Sequence, residues 1–405
     1  MPKFKKPNLL ILIITAIITG IICGHIFSAD IARIFITFNS IFSNFLGFCI
    51  PLIILGFVTP SIAELGGKAG KMLLVTVALA YTVTLSAGLL SYFVSDSFFP
   101  EMLQNERQEE ALHQATELTP FFSISIPPFI DIMSALVLAF VSGLGVARLN
   151  EKNSALKKVF IEFREIVTWI IAKIIVPLLP LYIFGIFLKM SVTGEVNAIL
   201  SAFYKIILVI FALHIVWLFI LYGAAAFFSR KEKNPFKLLW TMMPAYFTAL
   251  GTSSSAATIP VTLRQTKNLG VDEKIAGFTI PLCATIDLSG SALKIMSCAV
   301  ALMIMKGIGY DLGTIVYFAG MLGVALVAAP GVPGGSIMAS IGLLTSILGF
   351  SEADCALMIA LYIAMDSFGT ACNVTGDGAI AIVIDRLFSK DKSGQPVETP
   401  IIASE

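Results

Sequence analysis

The sequence predicts an all-α polytopic membrane protein, with eight transmembrane helices plus two re-entrant helical hairpins and inverted repeats in its second half. Three observations predict this. The 405-residue chain is 57% hydrophobic and 13% charged, whereas soluble domains carry about 25% charged residues. The connections between its apolar runs alternate in the sign of their charge. Two later runs are interrupted in the middle by polar or Gly/Pro clusters and carry like charge at both ends.

The first six spans fall near 8–28, 31–60, 68–97, 121–147, 156–190 and 198–228. Each is long enough to cross about 30 Å of hydrocarbon. The N-terminal run imitates a signal peptide but exceeds the usual apolar length of one, and more spans follow, so it reads as a retained first helix. Lys3, Lys5 and Lys6 precede span one, and Lys68 and Lys71 precede span three. Arg148, Lys152, Lys157 and Lys158 follow span four, and Arg230, Lys231, Lys233 and Lys237 follow span six. These are alternate connections, so one side collects the cations. That side is the cytoplasm, which also receives both termini. The opposite side receives 98–120, with Glu101, Glu106, Glu109, Glu110 and Glu117.

Segment 235–263 holds Gly251, Thr252, Ser253, Ser254, Ser255 and Thr258, and is basic at both flanks. It must enter and leave on one side, as a re-entrant hairpin would. Span 275–305 then crosses outward. Segment 312–350 holds Pro330, Gly331, Val332, Pro333, Gly334 and Gly335 between the acidic flanks Asp311 and Glu352/Asp354, and reads as a second hairpin from the other side. Stretch 354–385 crosses back to Arg386, Lys390 and Lys392. Interrupted backbone at membrane depth is tolerated only where it is buried or lines a cavity, and paired interruptions mark transport sites. Taken separately, the serines also fit a simple helix contact, and the glycines fit a loop between short spans.

The last stretch carries the chemistry. At about 100° per residue, Asp366, Thr370, Asn373 and Asp377 share one narrow stripe of a helix. A carboxylate in hydrocarbon costs about 2.5–3.5 kcal/mol even on lenient scales. Two on one stripe point to a solute and cation site rather than to a hydrogen-bonded seam between helices. In the preceding span, Asp287, Leu288, Ser289, Gly290 and Ser291 read as an unwound turn of weak helix formers beside Thr285. Its carbonyls would suit Na⁺. Lys294 lies one turn further on. It is either a snorkelling lysine or a functional cation.

Asn373-Val374-Thr375-Gly376-Asp377, Ser253-Ser254-Ser255 with Thr258-Ile259-Pro260, and Gly331-Val332-Pro333-Gly334-Gly335, in this order, resemble the dicarboxylate/amino acid:cation symporter family of glutamate-transporter type. The resemblance spans nearly the whole chain in topology and is strongest over 250–386. It implies a homotrimer in the cell inner or plasma membrane, in contact with lipid, that works as an elevator. Scaffold helices would be 1–67 and 121–190. Transport parts would be helix three with its extracellular loop (68–120), helix six (191–234) and the core 235–388, followed by a cytoplasmic tail, 389–405. By position, Asn373 would bind a substrate α-carboxylate and Asp366 an α-amino group, with Thr370 and Ser291 beside them. Ser253, Ser254 and Ser255 would close one side, and Val332 with Gly334 the other. Na⁺ would lie at Asp377 with carbonyls near Asp287 and Asn373, and a second ion near Thr285.

The chain departs from the family in three places. Acidic-substrate members carry an arginine where this chain has Gly369, which favours a small neutral amino acid such as serine, threonine or alanine. The acid of the turn has moved to Asp287, and two hydroxyl ligands of the third helix fall on Ala80 and Tyr81, which puts one sodium site in doubt. Lys294 then has three candidate roles: a tethered cation paired with Asp287 in place of that sodium, a proton-coupling group, or a counter-charge that restores dicarboxylate or acidic amino acid binding. An enzyme is not expected, since no nucleophile–base pair or metal cluster lies at depth. Cys23, Cys49, Cys283, Cys298, Cys355 and Cys372 contain no CxxC pair, and His25, His113 and His214 form no cluster. The net charge of +1 names no partner by itself, and no nucleic-acid partner is expected.

Overall fold

The computed structural model describes residues 9–65, 71–104, 118–149, 155–194, 196–329 and 334–389. Among them the order is α1 (Leu9–Ile26), α2 (Ala29–Leu65), α3 (Lys71–Met102), α4 (Ile132–Leu149) and α5 (Ala155–Ile170). A π turn over Ile171–Ile175 leads straight into α6 (Val176–Thr193), and α7 is Val196–Phe228. The second half contains α8 (Pro235–Thr252), α9 (Ser255–Asn268), α10 (Glu273–Ile286), α11 (Ser289–Lys306), α12 (Leu312–Val327), α13 (Gly335–Leu348), α14 (Glu352–Ala364) and α15 (Asp366–Phe388).

Six helical stretches in the described residues are long and apolar enough to cross a membrane: Ala29–Pro60, Lys71–Met102, Ala155–Thr193, Ile199–Phe228, Glu273–Lys306 and Asp366–Phe388. The span expected over 121–147 is shorter than the sequence suggested. Residues 118–131 are not helical, and α4 begins only at Ile132. Pro120, Pro127 and Pro128 explain this, because each lacks an N–H and disfavours helix in the residue before it.

The first half packs through small residues. α1 lies along α6, where Gly20 and Gly24 face the partner helix. A Cβ on Gly24 would sit 2.3 Å from Ser191 Cβ, so only glycine permits this approach. Ser191 Oγ then donates to Ile21 O at 2.9 Å. In a membrane the association of helices rests on such close contact rather than on apolar burial.

The second half is built twice on one pattern. α8 and α9 pack as a hairpin around a break at Ser253–Ser254, followed by a helical stretch broken at Asp287–Leu288. α12 and α13 pack together in the same way and are followed by a helical stretch broken at Met365. The sequence suggested one continuous helix over 354–385. The break arises at Met365, whose backbone (φ −109°, ψ 11°) ends α14 and places Asp366 at the first position of α15. α11 and α15 lie deepest: the most apolar part of Glu273–Lys306 is 94% buried, against 28% for that of Lys71–Met102. α3 is fastened to α11 by Ser91 Oγ to Leu293 O (2.8 Å) and by Ser297 Oγ to Ser91 Oγ (2.7 Å) and Ser95 Oγ (2.9 Å). At the surface, Asp311 caps α12 by accepting Thr314 N–H at 2.8 Å, which holds its carboxyl below the usual carboxylate range.

Candidate functional site

The hairpin break sits on the polar stripe. Ser253 closes α8 in the left-handed region (φ 50°), a conformation that costs a non-glycine residue about 1–3 kcal/mol. Its hydroxyl is bonded to Ser367 Oγ at 2.6 Å. Ser254 caps α9 by accepting Ala257 N–H. Strain held in place by a specific hydrogen bond at a helix break is characteristic of a site rather than of a connector.

A cavity of about 70 Å³ lies between this break and α15. Its wall includes Ser253, Ser254, Ser255, Ala256, Thr285, Ser291, Ser336, Tyr362, Asp366, Thr370 and Asn373. Four helices begin on that wall: α9 at Ser255, α11 near Ser291, α13 near Ser336 and α15 at Asp366. A helix start presents free N–H groups and the positive end of its dipole. Each is worth about 0.3–1 kcal/mol to a nearby anion, and more when partly buried. The cavity therefore favours a carboxylate, and Asp366 on the same wall supplies one negative charge. Larger hollows lie elsewhere, of about 400 Å³ beside Tyr182 and Lys189 and about 1060 Å³ beside Lys237 and Trp240. Neither gathers the stripe.

The stripe divides. Asp366, Thr370 and Asn373 line the cavity, while Asp377 is 1% exposed and lies deeper. Asn373 holds the start of α11: its Oδ1 accepts Gly290 N–H at 2.7 Å and its Nδ2 donates to Ser291 Oγ at 3.4 Å. Ser291 Oγ also bonds Tyr362 OH at 2.9 Å. Gly290 has to be glycine, because a Cβ there would lie 2.7 Å from Gly369 O. His214 Nε2 meets Gly290 O at 3.1 Å, so this buried histidine bears on the turn. Thr285 reaches the cavity wall, but its hydroxyl is returned to Leu282 O at 2.7 Å.

Lys294 is not paired with Asp287. Its Nζ lies 3.4 Å from Asp366 Oδ1, 3.4 Å from Met365 O and 3.7 Å from the centre of the Tyr362 ring, with the side chain fully buried. The break at Asp287–Leu288 turns Asp287 away from the face of α11 that carries Lys294. The same contact accounts for Gly369. A Cβ at 369 would stand 2.4 Å from Lys294 Cε and 2.5 Å from Nζ, so the lysine fills the space of the missing side chain. Gly369 is not on the cavity wall. Gly334 donates its N–H to Asp366 Oδ2 at 3.2 Å. Val332 lies outside the described residues.

Asp287 faces α15 instead. It is an electrostatic neighbour of Asp377, and Thr84 of α3 borders it. A Cβ at Gly376 would be 3.0 Å from Asp287 Oδ2 and 3.8 Å from Ser289 Oγ. Among the described residues, Thr84 Oγ1, Asp287 Oδ2, Ser289 Oγ and Asp377 Oδ1 are buried without a hydrogen-bond partner. The Thr84 and Ser289 hydroxyls border Asp287, but two buried acids facing one another still repel, and a hard cation with oxygen ligands relieves this. The donor set fits Na⁺. Sequence reasoning missed Thr84: the ungapped register pointed to Ala80 and Tyr81. Tyr81 instead serves α12, donating to Gly320 O at 3.1 Å.

The family model described as Sodium:dicarboxylate symporter family matches residues 9–387. The chain belongs to that family. It is a family of symporters in the membrane rather than of enzymes, and this member is a multi-pass membrane protein. It is similar to Excitatory amino acid transporter 1 of Bos taurus, 28% identical over 296 residues, 71% of this chain and 54% of the relative. It is also similar to Excitatory amino acid transporter 4 of Mus musculus (29% over 273 residues, 66% and 48%). A third relative is Excitatory amino acid transporter of Caenorhabditis elegans (26% over 270 residues, 65% and 52%). The chain spans about half the length of the curated relatives it matches.

Proposed function

We propose that this chain is a secondary active symporter that imports a small amino acid, neutral and serine-, threonine- or alanine-like, together with Na⁺. The observation that carries the reading is the convergence of four helix starts and the Asp366 carboxylate on one small cavity. An α-carboxylate belongs at the N–H ends of α9, α11 and α13. An α-ammonium belongs at Asp366, with Asn373 and Ser291 holding the wall. A volume of about 70 Å³ for the whole cavity suits a small solute. Family membership and the names of the relatives support sodium coupling and amino acid cargo. Sodium would lie among Asp377, Asp287, Ser289 and Thr84, where its charge offsets the two acids. Coupling to H⁺ is the alternative.

The finer architecture belongs to the same reading. Eight helices cross the membrane, and α8–α9 and α12–α13 are re-entrant, in opposite orientation. Both termini are cytoplasmic, and three copies assemble around the scaffold helices while the core 235–388 moves as an elevator. A second reading is favoured by one observation, the Lys294 ammonium in the space of residue 369. It would be a counter-charge for a dicarboxylate or an acidic amino acid.

The test is uptake into proteoliposomes of labelled serine, alanine, threonine, aspartate and succinate, under an inward Na⁺ gradient and then an inward H⁺ gradient. The expected result is accumulation of a small neutral amino acid with Na⁺ alone. Accumulation of aspartate or succinate selects the second reading. No gradient-driven accumulation of any of the five defeats both.

A further inference from the structure

We propose that Lys294 is a tethered counter-cation for the unloaded carrier: its ammonium serves Asp366 in place of a solute's amino group, so the carrier returns across the membrane without a counter-transported cation. This rests on the symporter reading above and adds how the cycle is completed.

Asp366 is served entirely by the protein. Oδ1 faces the Lys294 ammonium at 3.4 Å, and Oδ2 accepts Gly334 N–H at 3.2 Å. The carboxylate still belongs to the cavity wall, so a solute can reach it. An unpaired carboxylate carried through a low-dielectric environment is heavily penalised, whereas a hydrogen-bonded ion pair is neutral. A carrier with this pair built in needs no outside ion at Asp366 to move unloaded.

Lys294 also has partners besides the Asp366 carboxylate. In the same position its Nζ lies 3.4 Å from Met365 O and 3.7 Å from the centre of the Tyr362 ring, so the ammonium keeps both when Asp366 turns to a solute. An arriving amino acid would bring its ammonium to Asp366 and its carboxylate to the helix starts. Its net charge is zero, so loaded and unloaded forms carry the same charge through this site. The absence of a Cβ at 369 provides the space in which the lysine end lies.

The test separates unloaded return from solute binding. Net uptake needs the unloaded carrier to return, whereas exchange of internal for external solute does not. Labelled L-serine is the first probe, with L-aspartate used where serine is not taken up. For the unaltered protein, net uptake should be the same with internal K⁺ or internal N-methylglucamine. In Lys294→Met, the ratio of net uptake to exchange should fall by about tenfold or more, because the acid is left unpaired on the return step. Lys294→Arg should keep most of that ratio. The proposal is overturned if unaltered net uptake depends on internal K⁺. It is also overturned if Lys294→Met leaves the ratio unchanged or lowers both modes together. The K⁺ comparison needs no variant, so it decides even where Lys294→Met does not fold. If the unaltered protein shows neither exchange nor uptake of any solute in the panel, the symporter reading falls, and this proposal with it.

Discussion

Lys294 and residue 369 compete for one volume, and that competition can be measured. A methyl group at 369 would stand 2.4 Å from Lys294 Cε and 2.5 Å from Nζ, with the lysine fully buried and held by Asp366. Gly369→Ala in the otherwise unaltered chain should therefore cost about 1–3 kcal/mol from overpacking alone. It costs more if the ammonium is driven off, since breaking a buried pair costs about 3–5 kcal/mol. In a Lys294→Ala background the obstruction is gone. Gly369→Ala should then gain up to about 1 kcal/mol, because alanine is the better helix former. The coupling between the two positions is about 1–4 kcal/mol, the sum of that cost and that gain. Thermal unfolding of the purified protein and its three variants, followed by tryptophan fluorescence, reads it directly. Gly369→Ala should lower Tm in the lysine background and raise it in the alanine background. A shift of the same sign and size in both would refute the shared-volume argument.

Other consequences are open to test. Asp377→Asn and Asp287→Asn should each raise the Na⁺ concentration for half-maximal uptake by about 10–100-fold or more, while Thr285→Ala should change it little. Asn373→Ala strands Gly290 N–H and should cost about 1–3 kcal/mol, seen as a lower Tm together with lost uptake. Gly24→Leu should destabilise by at least about 1–3 kcal/mol through its contact with Ser191. Gly47→Ala, which meets nothing within 4 Å, is the neutral control.

Charge and periodicity made much of this molecule legible in its sequence. Asp366, Thr370 and Asn373 were readable as one face because a helix repeats every 3.6 residues, and the structure brings those three to one cavity. The breaks at Ser253–Ser254 and Asp287–Leu288 were readable because weak helix formers interrupt apolar runs. The break at Met365 was not, since the residues before Asp366 are ordinary helix formers and carry no signal of a break. The partner of Lys294 was missed for a related reason. Seven residues separate it from Asp287, a spacing that implies one face in an unbroken helix, but the intervening break turns the two acids, Asp287 and Asp366, to different clusters. Thr84 was missed because its nearness to Asp287 depends on how far α3 is rotated against α11, which local sequence does not encode.

Sodium coupling at this core is the central claim, and reversing the driving force tests it most directly. Proteoliposomes would receive an inward gradient of L-serine, with L-aspartate in a parallel set, and radiolabelled sodium at equal concentration on both sides. The account predicts that sodium accumulates inside with the solute and that Asp377→Asn abolishes this accumulation. Solute entry with no movement of labelled sodium would contradict it.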